Sequence, residues 1–311
     1  MSLPVYVQEK IRELLKDVPS SHLQQARQAV TSRYQTRASI PFQSQAERLS
    51  YLATRLPATY AAVSWVLEKI TPHSSMLRTH LDLGTGPGTV FLAVQALFPF
   101  IQHSTLVEKD PSLIALGKQL MPLDATPTWQ EQDLQQCVQF EPTDLVTMSY
   151  VLNELVDPSQ LLIKAWKATK QFFVLIEPGT PYGFACLKTA RAQLIEQGAF
   201  IFAPCTHENV CPMNSKDWCH FKVNVQRPSF HQRIKQATKS FEEEKLSYLI
   251  AAKAPFNRQK SRVIRKPIKG SGHIILDLCD ENGLRRQVIS KKDGTRYRDA
   301  RNIVWGDAWD N

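Results

Sequence analysis

The chain has 311 residues, of which 43% are hydrophobic, and a formal net charge of +9. This length suits one large domain with appendages, or two domains, and the hydrophobic content is ordinary for a globular core. No stretch approaches the ~18 consecutive apolar residues of a membrane span, and the N-terminal MSLPVYVQEK lacks the features of a secretory signal or a transit peptide. We therefore expect a soluble, cytoplasmic, monomeric protein with reduced thiols and no membrane partner.

Helical periodicity covers most of residues 5–70, with Ser20 and Ser21 as capping candidates and Pro57 expected to kink or split the last helical pair. From Thr79 onward, short apolar runs such as THLDL, STLVE and DLVTMSY alternate with helical segments. This alternation predicts an α/β domain with a parallel sheet covered on both faces. A polar helix is predicted near 228–239, and KLSYLIAAK suits a late strand of the same sheet.

The composition shifts after Ala254, where a basic linker precedes strand-like runs interrupted at Glu281-Asn282-Gly283 and Asp293-Gly294. Because Asn-Gly and Asp-Gly are strong hairpin signals, we predict a small β module. The predicted organisation is a helical region over 1–72, an α/β domain over 73–254 with a cysteine-rich segment at 198–240, and a basic β-rich module over 255–311.

Positive charge is concentrated near the C-terminus. Residues 253–301 contain fourteen Lys and Arg against five Asp and Glu, an excess that equals the net charge of the whole chain. Such a field suits a polyanion such as RNA, although a merely solvated basic face remains the alternative. The candidate RNA-binding residues are Arg262, Arg265, Lys266, Lys269, Arg285, Arg286, Lys291 and Lys292.

The segment LDLGTGPGTV places Asp82 at a strand end and Gly84, Gly86 and Gly88 in a turn that opens a helix. Glycines permit a tight turn and a close approach of ligand to backbone. The spacing is neither a dinucleotide fingerprint nor a P-loop. It resembles the first motif of class I S-adenosylmethionine (SAM) methyltransferases.

Two acids follow at positions that suit this interpretation. Glu108 ends the next strand, where an acid can accept hydrogen bonds from both ribose hydroxyls. Asp133 follows the third strand, where the methyltransferase pattern usually has a polar contact to the adenine. Either acid alone is a weak signal, since acids at strand ends are often caps or turn residues.

The residues after the fourth strand normally report the methyl acceptor. Here Ser149, Tyr150, Asn153 and Glu154 are the candidates, and neither the Asp/Asn-Pro-Pro-aromatic tetrapeptide nor a Pro-Cys pair is present. Asn153 and Glu154 fit acceptor orientation or helix capping equally well. The catalytic residues therefore stay undefined by sequence.

Cys205, Cys211 and Cys219 have the spacing Cys-x5-Cys-x7-Cys, and Cys279 supplies a possible fourth ligand. Paired CxxC knuckles are absent, which weakens a zinc interpretation without removing it, and His207 and His220 are spare zinc ligands. Four soft thiolates are also compatible with a [4Fe-4S] cluster. We predict a metal or cluster site of open identity rather than free buried cysteines.

Several longer motifs resemble the small-ribosomal-subunit methyltransferase-like family, whose mitochondrial members assist assembly of the ribosomal small subunit. They are RLSYLATRLPATYAAVSWVL, LDLGTGPGT, SYVLNEL, the segment 205–221, EEEKLSYLI and YRDARNIVWGDAW. The resemblance implies a Rossmann-like methyltransferase domain, binding of small-subunit rRNA and the pre-ribosomal small subunit, and a [4Fe-4S] cluster at Cys205, Cys211, Cys219 and Cys279. Without a transit peptide, the chain looks like a bacterial relative.

Two functions from different classes are compatible with these features. The first is SAM-dependent methylation of small-subunit rRNA, with the glycine loop and its acids holding SAM. The second is a non-catalytic assembly factor that binds SAM and RNA and carries a structural cluster or zinc.

Overall fold

The computed structural model describes residues 2–35, 42–214 and 216–310. The chain forms two compact units, each assembled from separate stretches. The first unit comprises Met1–Val138, Thr143–Val156 and Val223–Glu244, and the second comprises Gln139–Pro142, Asp157–Lys222 and Lys245–Asn311. The predicted domain boundaries at 72 and 254 stay a prediction from composition.

The helices and strands follow the alternation that the sequence predicts. In chain order the helices are α1 (Val5–Leu15), α2 (Ser20–Gln35), α3 (Gln45–Thr54), α4 (Leu56–Leu67), α5 (Thr89–Leu97), α6 (Pro111–Leu120), α7 (Ser159–Ala168), α8 (Pro181–Glu196), α9 (Ser229–Lys235) and α10 (Thr295–Asn302). The strands are β1 (Thr79–Leu83), β2 (His103–Glu108), β3 (Thr128–Glu131), β4 (Thr143–Ser149), β5 (Thr169–Pro178), β6 (Phe200–Ala203), β7 (Phe221–Gln226), β8 (Phe241–Ala252), β9 (Ser261–Val263), β10 (Ile268–Lys269), β11 (His273–Asp280) and β12 (Gly283–Ser290). Short 3-10 turns lie at Glu68–Met76, Leu134–Gln136, Leu152–Glu154 and Lys291–Asp293.

A serine cap and a proline set where α3 and α4 begin. Ser44 caps α3 by accepting a hydrogen bond from Glu47 N at 3.2 Å. Pro57 lies in the first turn of α4, where its missing N–H leaves no helical hydrogen bond unmade. The predicted split of this helical pair is therefore confirmed, and the proline begins the second helix.

The first unit contains a parallel sheet in the order β3-β2-β1-β4. In β4, consecutive residues from Thr143 to Met148 are all buried. Since neighbours along a strand point to opposite faces, both faces of β4 are covered. The chain order reverses between β1 and β4, and such a switch point is where open α/β sheets bind ligands. The predicted Rossmann-like fold is confirmed.

The second unit contains antiparallel pairs of β8 with β5 and with β6. The late strand KLSYLIAAK is thus confirmed, while α8 and β6 were not predicted. Of all the helices described, none is long and apolar enough to cross a bilayer.

A small sheet in the second unit has the order β10-β11-β12, with β9 also pairing with β11. The β11–β12 hairpin turns at Gly283, whose φ is 111°. The hairpin predicted at Asp293-Gly294 is wrong, because Gly294 leads into α10 instead. Ser290 and Asp293 form a capping box around the preceding 3-10 turn, which stabilises a helical continuation.

A partly buried carboxylate, that of Glu242, joins Arg227, Lys235 and His231 within the first unit. Glu242 accepts hydrogen bonds from Arg227 and Lys235 at 2.8 and 2.9 Å, and His231 Nε2 lies 3.2 Å from it. Burial alone would raise the pKa of Glu242, but bonds from His231, Lys235 and Arg227 hold it well below its usual range. The carboxylate therefore stays ionised in the fold.

We expect Glu242→Gln to lower the free energy of unfolding by about 2 kcal/mol at pH 7, because the cations lose their shared partner. The depressed pKa means that this stabilisation is present above the unfolded-state pKa, about 4.3, and is lost at lower pH. In urea denaturation, the gap between wild type and variant should narrow below about pH 4. The exposed Glu9 of the same unit supplies the control: Glu9→Gln should change stability by less than about 0.5 kcal/mol, and equal effects of both substitutions would contradict the assignment.

Candidate functional site

The glycine loop turns the chain sharply between β1 and α5. Gly84, Gly86 and Gly88 have φ of 73°, 57° and 79°, in the left-handed region that favours glycine. A Cβ on Gly84 would lie 2.5 Å from Val151, but a Cβ on Gly86 would meet nothing within 4 Å. The first glycine thus permits close packing, whereas the second faces open space that a ligand can fill.

Glu108 is built into this loop by backbone hydrogen bonds. Its Oε2 accepts from Gly86 N, and its Oε1 accepts from Lys109 N and Asp110 N, all at 2.9 Å. A carboxylate offers about four lone-pair sites, so one remains for a ribose hydroxyl while Gly86 keeps its bond. The expectation that Glu108 binds both ribose hydroxyls requires Gly86 N to release it or share it.

Asp82 lies in β1 with its side chain almost wholly buried. Thr147 on the neighbouring β4 donates to Asp82 Oδ1 at 2.7 Å and lies 2.9 Å from His80 Nε2. Burial, reinforced by the charge of Glu108, raises the pKa of Asp82 to about 6, while burial lowers the pKa of His80 to about 3. The hydrogen bond between Thr147 and Asp82 thus joins β4 to β1 at the start of the glycine loop. His80 is neutral at physiological pH.

Asp133 follows β3 and accepts a hydrogen bond from Gln135 N at 3.0 Å, which caps a short 3-10 turn. Leu134, the next residue, lies near the position that a Cβ on Gly84 would take. Asp133 therefore stands beside the loop, where the predicted adenine contact would be made.

The segment after β4 contains the predicted acceptor candidates. Tyr150 directly follows the strand with φ of 61°, an uncommon conformation for a non-glycine residue. Asn153 and Glu154 lie in the 3-10 turn that follows. Within the described part of the chain, the buried Ser149 Oγ has no hydrogen-bond partner. This segment abuts the glycine loop through Val151, so the loop and the acceptor candidates share one edge of the sheet.

Side chains from the N-terminal helices reach the same edge. The Arg55 guanidinium lies over the Tyr150 ring, 5.9 Å from its centroid, and makes two hydrogen bonds to Glu244, at 3.2 and 2.9 Å. Burial raises the pKa of Tyr51 to about 12, and the charges of Glu154 and Glu108 add to this shift against the opposing effect of Arg55. Tyr51 is therefore neutral at physiological pH. Arg55 is the positively charged side chain that lies over the Tyr150 ring.

The second unit brings the four predicted cysteines together. Cys205, Cys211, Cys219 and Cys279 line one pocket of about 40 Å³. The remaining wall is largely apolar and includes Phe184, Leu187, Met213, Phe221 and Ile264. No three Cys, His, Asp or Glu side chains of the described residues converge on a single-ion position. The thiols instead stand around the wall of a cavity.

Electrostatics within this pocket reflects the crowding of the thiols. Burial raises the pKa of Cys205, Cys219 and Cys279, the last to about 12, and charge on neighbouring cysteines raises each further. Within the described residues, none of the six cysteines forms a disulfide. Thiolates in such a place require a compensating cation, so the donor set fits a group that supplies positive charge.

Seven of the eight predicted RNA-binding residues fall into three classes. Arg265, Arg285 and Arg286 form ion pairs with Asp217, Asp280 and Asp277. Lys269 donates to a backbone carbonyl, that of Arg301. Among the described residues, the exposed Lys266, Lys291 and Lys292 make no ion pair.

Arg262 departs from its predicted role. Its side chain is buried, and its guanidinium donates to Pro204 O and Gly306 O at 2.9 and 3.0 Å. Both carbonyls belong to the same unit, so Arg262 ties loops of this unit together. A buried guanidinium that is already bonded is not presented to a phosphate.

Residues 45–310 match the protein family described as "Mitochondrial small ribosomal subunit Rsm22". That span is most of the chain. The chain belongs to the Rsm22 family. The resemblance predicted from the sequence motifs is thereby confirmed.

Two relatives illustrate the match. This Rsm22-family chain is 24% identical to "Rsm22-cox11 tandem protein 1, mitochondrial" of Schizosaccharomyces pombe, over 97% of this chain and 49% of that protein. It is 27% identical to "Ribosome assembly protein METTL17, mitochondrial" of Homo sapiens, over 83% of this chain and 61% of that protein. The chain thus spans about half to three fifths of the length of these relatives.

Among solved structures, the Rsm22-family chain is similar to magnesium protoporphyrin IX methyltransferase from Synechocystis with bound SAH. The TM-score is 0.42 at 12% identity, covering 80% of this chain and all of the other. The assignment of a Rossmann-like fold rests on the strand order described above.

Sequence reasoning did not identify Arg55, Tyr51 or Glu244. Tyr51 belongs to α3, Arg55 to the α3–α4 junction and Glu244 to β8. All three are far in sequence from the SYVLNEL motif that they accompany. An Arg in a helix junction carries no signal of its own, and only the packing of the Rsm22-family fold brings it to Tyr150.

Proposed function

We propose that this chain is a SAM-dependent methyltransferase-like protein of small-ribosomal-subunit assembly, with small-subunit rRNA as the methyl acceptor. The observation that carries the proposal is the open space at Gly86, beside Glu108 and above the buried Asp82, in a member of the Rsm22 family. The named roles of the relatives in the ribosome support the same partner. A cytoplasmic location stays part of the proposal.

The proposed division of labour follows from the geometry. Gly86 leaves room for the cofactor, and Glu108 offers its remaining lone pair to a ribose hydroxyl. Asp133 would make the polar contact to the adenine. Bound SAM would supply an electrophilic methyl group. The chain would then contribute proximity and in-line orientation, with little acid–base chemistry of its own.

The second candidate is a non-catalytic assembly factor that binds SAM and RNA. Its support is the absence of a recognised acceptor motif after β4 and the Arg55 side chain over the Tyr150 ring. In that case the same loop would bind SAM without transfer.

Labelled SAM and small-subunit RNA distinguish these candidates. We expect the wild-type protein to bind SAM and to incorporate label, and Gly86→Arg to reduce SAM affinity by more than about tenfold because its side chain fills the open space. Gly198→Arg is the matched control, since Gly198 also has a positive φ and open space around it but lies in the second unit. Normal SAM binding without incorporation, together with restored subunit assembly by Gly86→Arg, would favour the non-catalytic candidate.

We further propose that Cys205, Cys211, Cys219 and Cys279 hold a [4Fe-4S] cluster, with zinc as the alternative. In such a cluster each thiolate would bond a different iron, which suits thiols that are spread around a cavity wall. A zinc ion would require all four thiolates to lie about 2.3 Å from one point. The apolar shell of Phe184 and Ile264 would limit solvent access to it. The bound group would link β11 covalently to the cysteine-rich segment.

Anaerobic purification should yield a coloured protein with iron and acid-labile sulfide in the ratio of a [4Fe-4S] cluster. Cys279→Ser should lose most of this absorption and unfold at a lower temperature, because metal binding contributes folding energy. Cys186→Ser serves as the control, since Cys186 belongs to the same unit but does not line the pocket. A colourless protein with stoichiometric zinc would establish the zinc alternative instead.

We propose that the exposed lysines Lys266, Lys291 and Lys292 carry most of the phosphate contact of the basic module. Ion-paired arginines would have to give up a carboxylate before they bind phosphate, whereas these lysines exchange only water and counterions. Of the eight residues predicted to bind RNA, these three lysines are therefore proposed as the main phosphate contacts.

Replacement of these three lysines by Gln should weaken binding of small-subunit RNA and reduce the slope of log affinity against log salt by about 2. The control changes Lys109, Lys118 and Lys239, three exposed lysines of the first unit, to Gln. It removes the same charge and should leave the slope nearly unchanged. Equal slopes for both triple variants would mean that the basic face is only solvated surface.

A further inference from the structure

The Tyr150 ring is held at the carboxyl edge of the sheet by an unfavourable backbone conformation. Its φ of 61° directly after β4 is unfavourable for a residue with a side chain, so the surrounding structure must enforce it. Such conformations in non-glycine residues cluster at ligand sites. The ring is therefore a candidate ligand contact and not merely a residue that ends a strand.

The Arg55 guanidinium over this ring is itself fixed in place. Two hydrogen bonds to Glu244 hold the plane of the guanidinium, and Arg55 follows Tyr51 by four residues at the end of α3. Residues four apart share a helix face, so Tyr51 accompanies Arg55 on the side toward Tyr150. The guanidinium over the Tyr150 ring is thus held by the Glu244 carboxylate.

The spacing of the two groups is close to that of a stacking site. A planar guest stacked between them needs roughly 3.5 Å on each side, hence a separation of about 7 Å. The guanidinium carbon lies 5.9 Å from the ring centroid, so an outward shift of about 1 Å would admit a flat ring. The Arg55 side chain is 37% exposed, so protein does not enclose it on every side.

We propose that Tyr150 and Arg55 form a clamp for one unstacked nucleobase of RNA, with Glu244 orienting Arg55. Nucleobases present two flat faces, and proteins that bind single-stranded RNA stack them on aromatic rings and guanidinium planes. The cation also favours a polyanionic chain over a neutral planar ligand. Because Val151, the next residue, packs against the glycine loop, the clamped base lies beside the proposed SAM site.

This inference rests on the proposed function, since it names the chemistry by which the acceptor RNA is recognised there. It also explains how the chain can present a base without an Asp/Asn-Pro-Pro-aromatic tetrapeptide. The ring comes from the residue after β4, and the opposing plane comes from the N-terminal helices. Both groups belong to the first unit.

The test uses the full chain with a single-stranded oligoribonucleotide that contains 2-aminopurine, whose emission is quenched by stacking. Saturating S-adenosylhomocysteine fills the proposed cofactor site, so that the fluorescent base does not report binding there. Tyr150→Asn removes the ring but tolerates positive φ, and Tyr150→Phe keeps the ring. Phe241→Ala, at an exposed aromatic residue of the same unit, is the matched control.

We expect strong quenching with wild type, Tyr150→Phe and Phe241→Ala, and loss of most of it with Tyr150→Asn. Arg55→Lys keeps the charge but loses the flat plane, so it should quench less and bind the oligonucleotide about tenfold more weakly. Equal quenching by wild type and Tyr150→Asn, or none by wild type, would overturn the clamp.

Direct titration with S-adenosylhomocysteine separates this inference from the proposed function. If wild type does not bind the nucleoside but quenching still depends on Tyr150, the cofactor proposal fails and the clamp stands. If the nucleoside binds equally to wild type and Tyr150→Asn while quenching is also equal, the cofactor proposal stands and the clamp fails.

Discussion

The left-handed turns at the carboxyl ends of β1 and β4 are the constraint on which the first unit depends. Gly84 must lack a Cβ because Val151 occupies that space, and Val151 is placed there by the positive φ of Tyr150. The two turns therefore fit each other, one through a missing side chain and the other through a strained backbone. Their match leaves open space at Gly86 and fixes the Tyr150 ring at the same sheet edge.

A different constraint organises the second unit, namely the two faces of β11. Ile274, Leu276 and Leu278 point into a hydrophobic core with Val263 and Trp309, whereas Cys279 contributes to the cysteine pocket. Because alternate residues of a strand point to opposite faces, one short strand supplies both core side chains and one thiol of the cysteine pocket. Loss of this core would therefore misplace the Cys279 thiol in the pocket.

Charge in this protein is more structural than its composition indicates. The whole net charge lies in one segment of the sequence, yet Arg262 is buried and Arg285 and Arg286 are paired with aspartates of β11. A similar use of charge holds Glu242 between Arg227 and Lys235 in the first unit, with His231 beside it. The lysines, with their flexible stems and strong hydration, are the residues left for an external polyanion.

The parallel α/β order, the glycine turn with its acids and the family were predictable from the amino-acid sequence, because each depends on spacing between near neighbours or on a long motif. Strand periodicity and turn chemistry are local, so β1 to β5 and the split at Pro57 were predictable. Asp293-Gly294 was not, since the same dipeptide serves a hairpin or a helix start, and the Ser290 capping box decided between them. Only the tertiary structure brought Cys279 to the other cysteines, set Arg55 and Glu244 against Tyr150, and paired some arginines while leaving lysines exposed. Those outcomes depend on packing between segments distant in the chain, which no local pattern encodes.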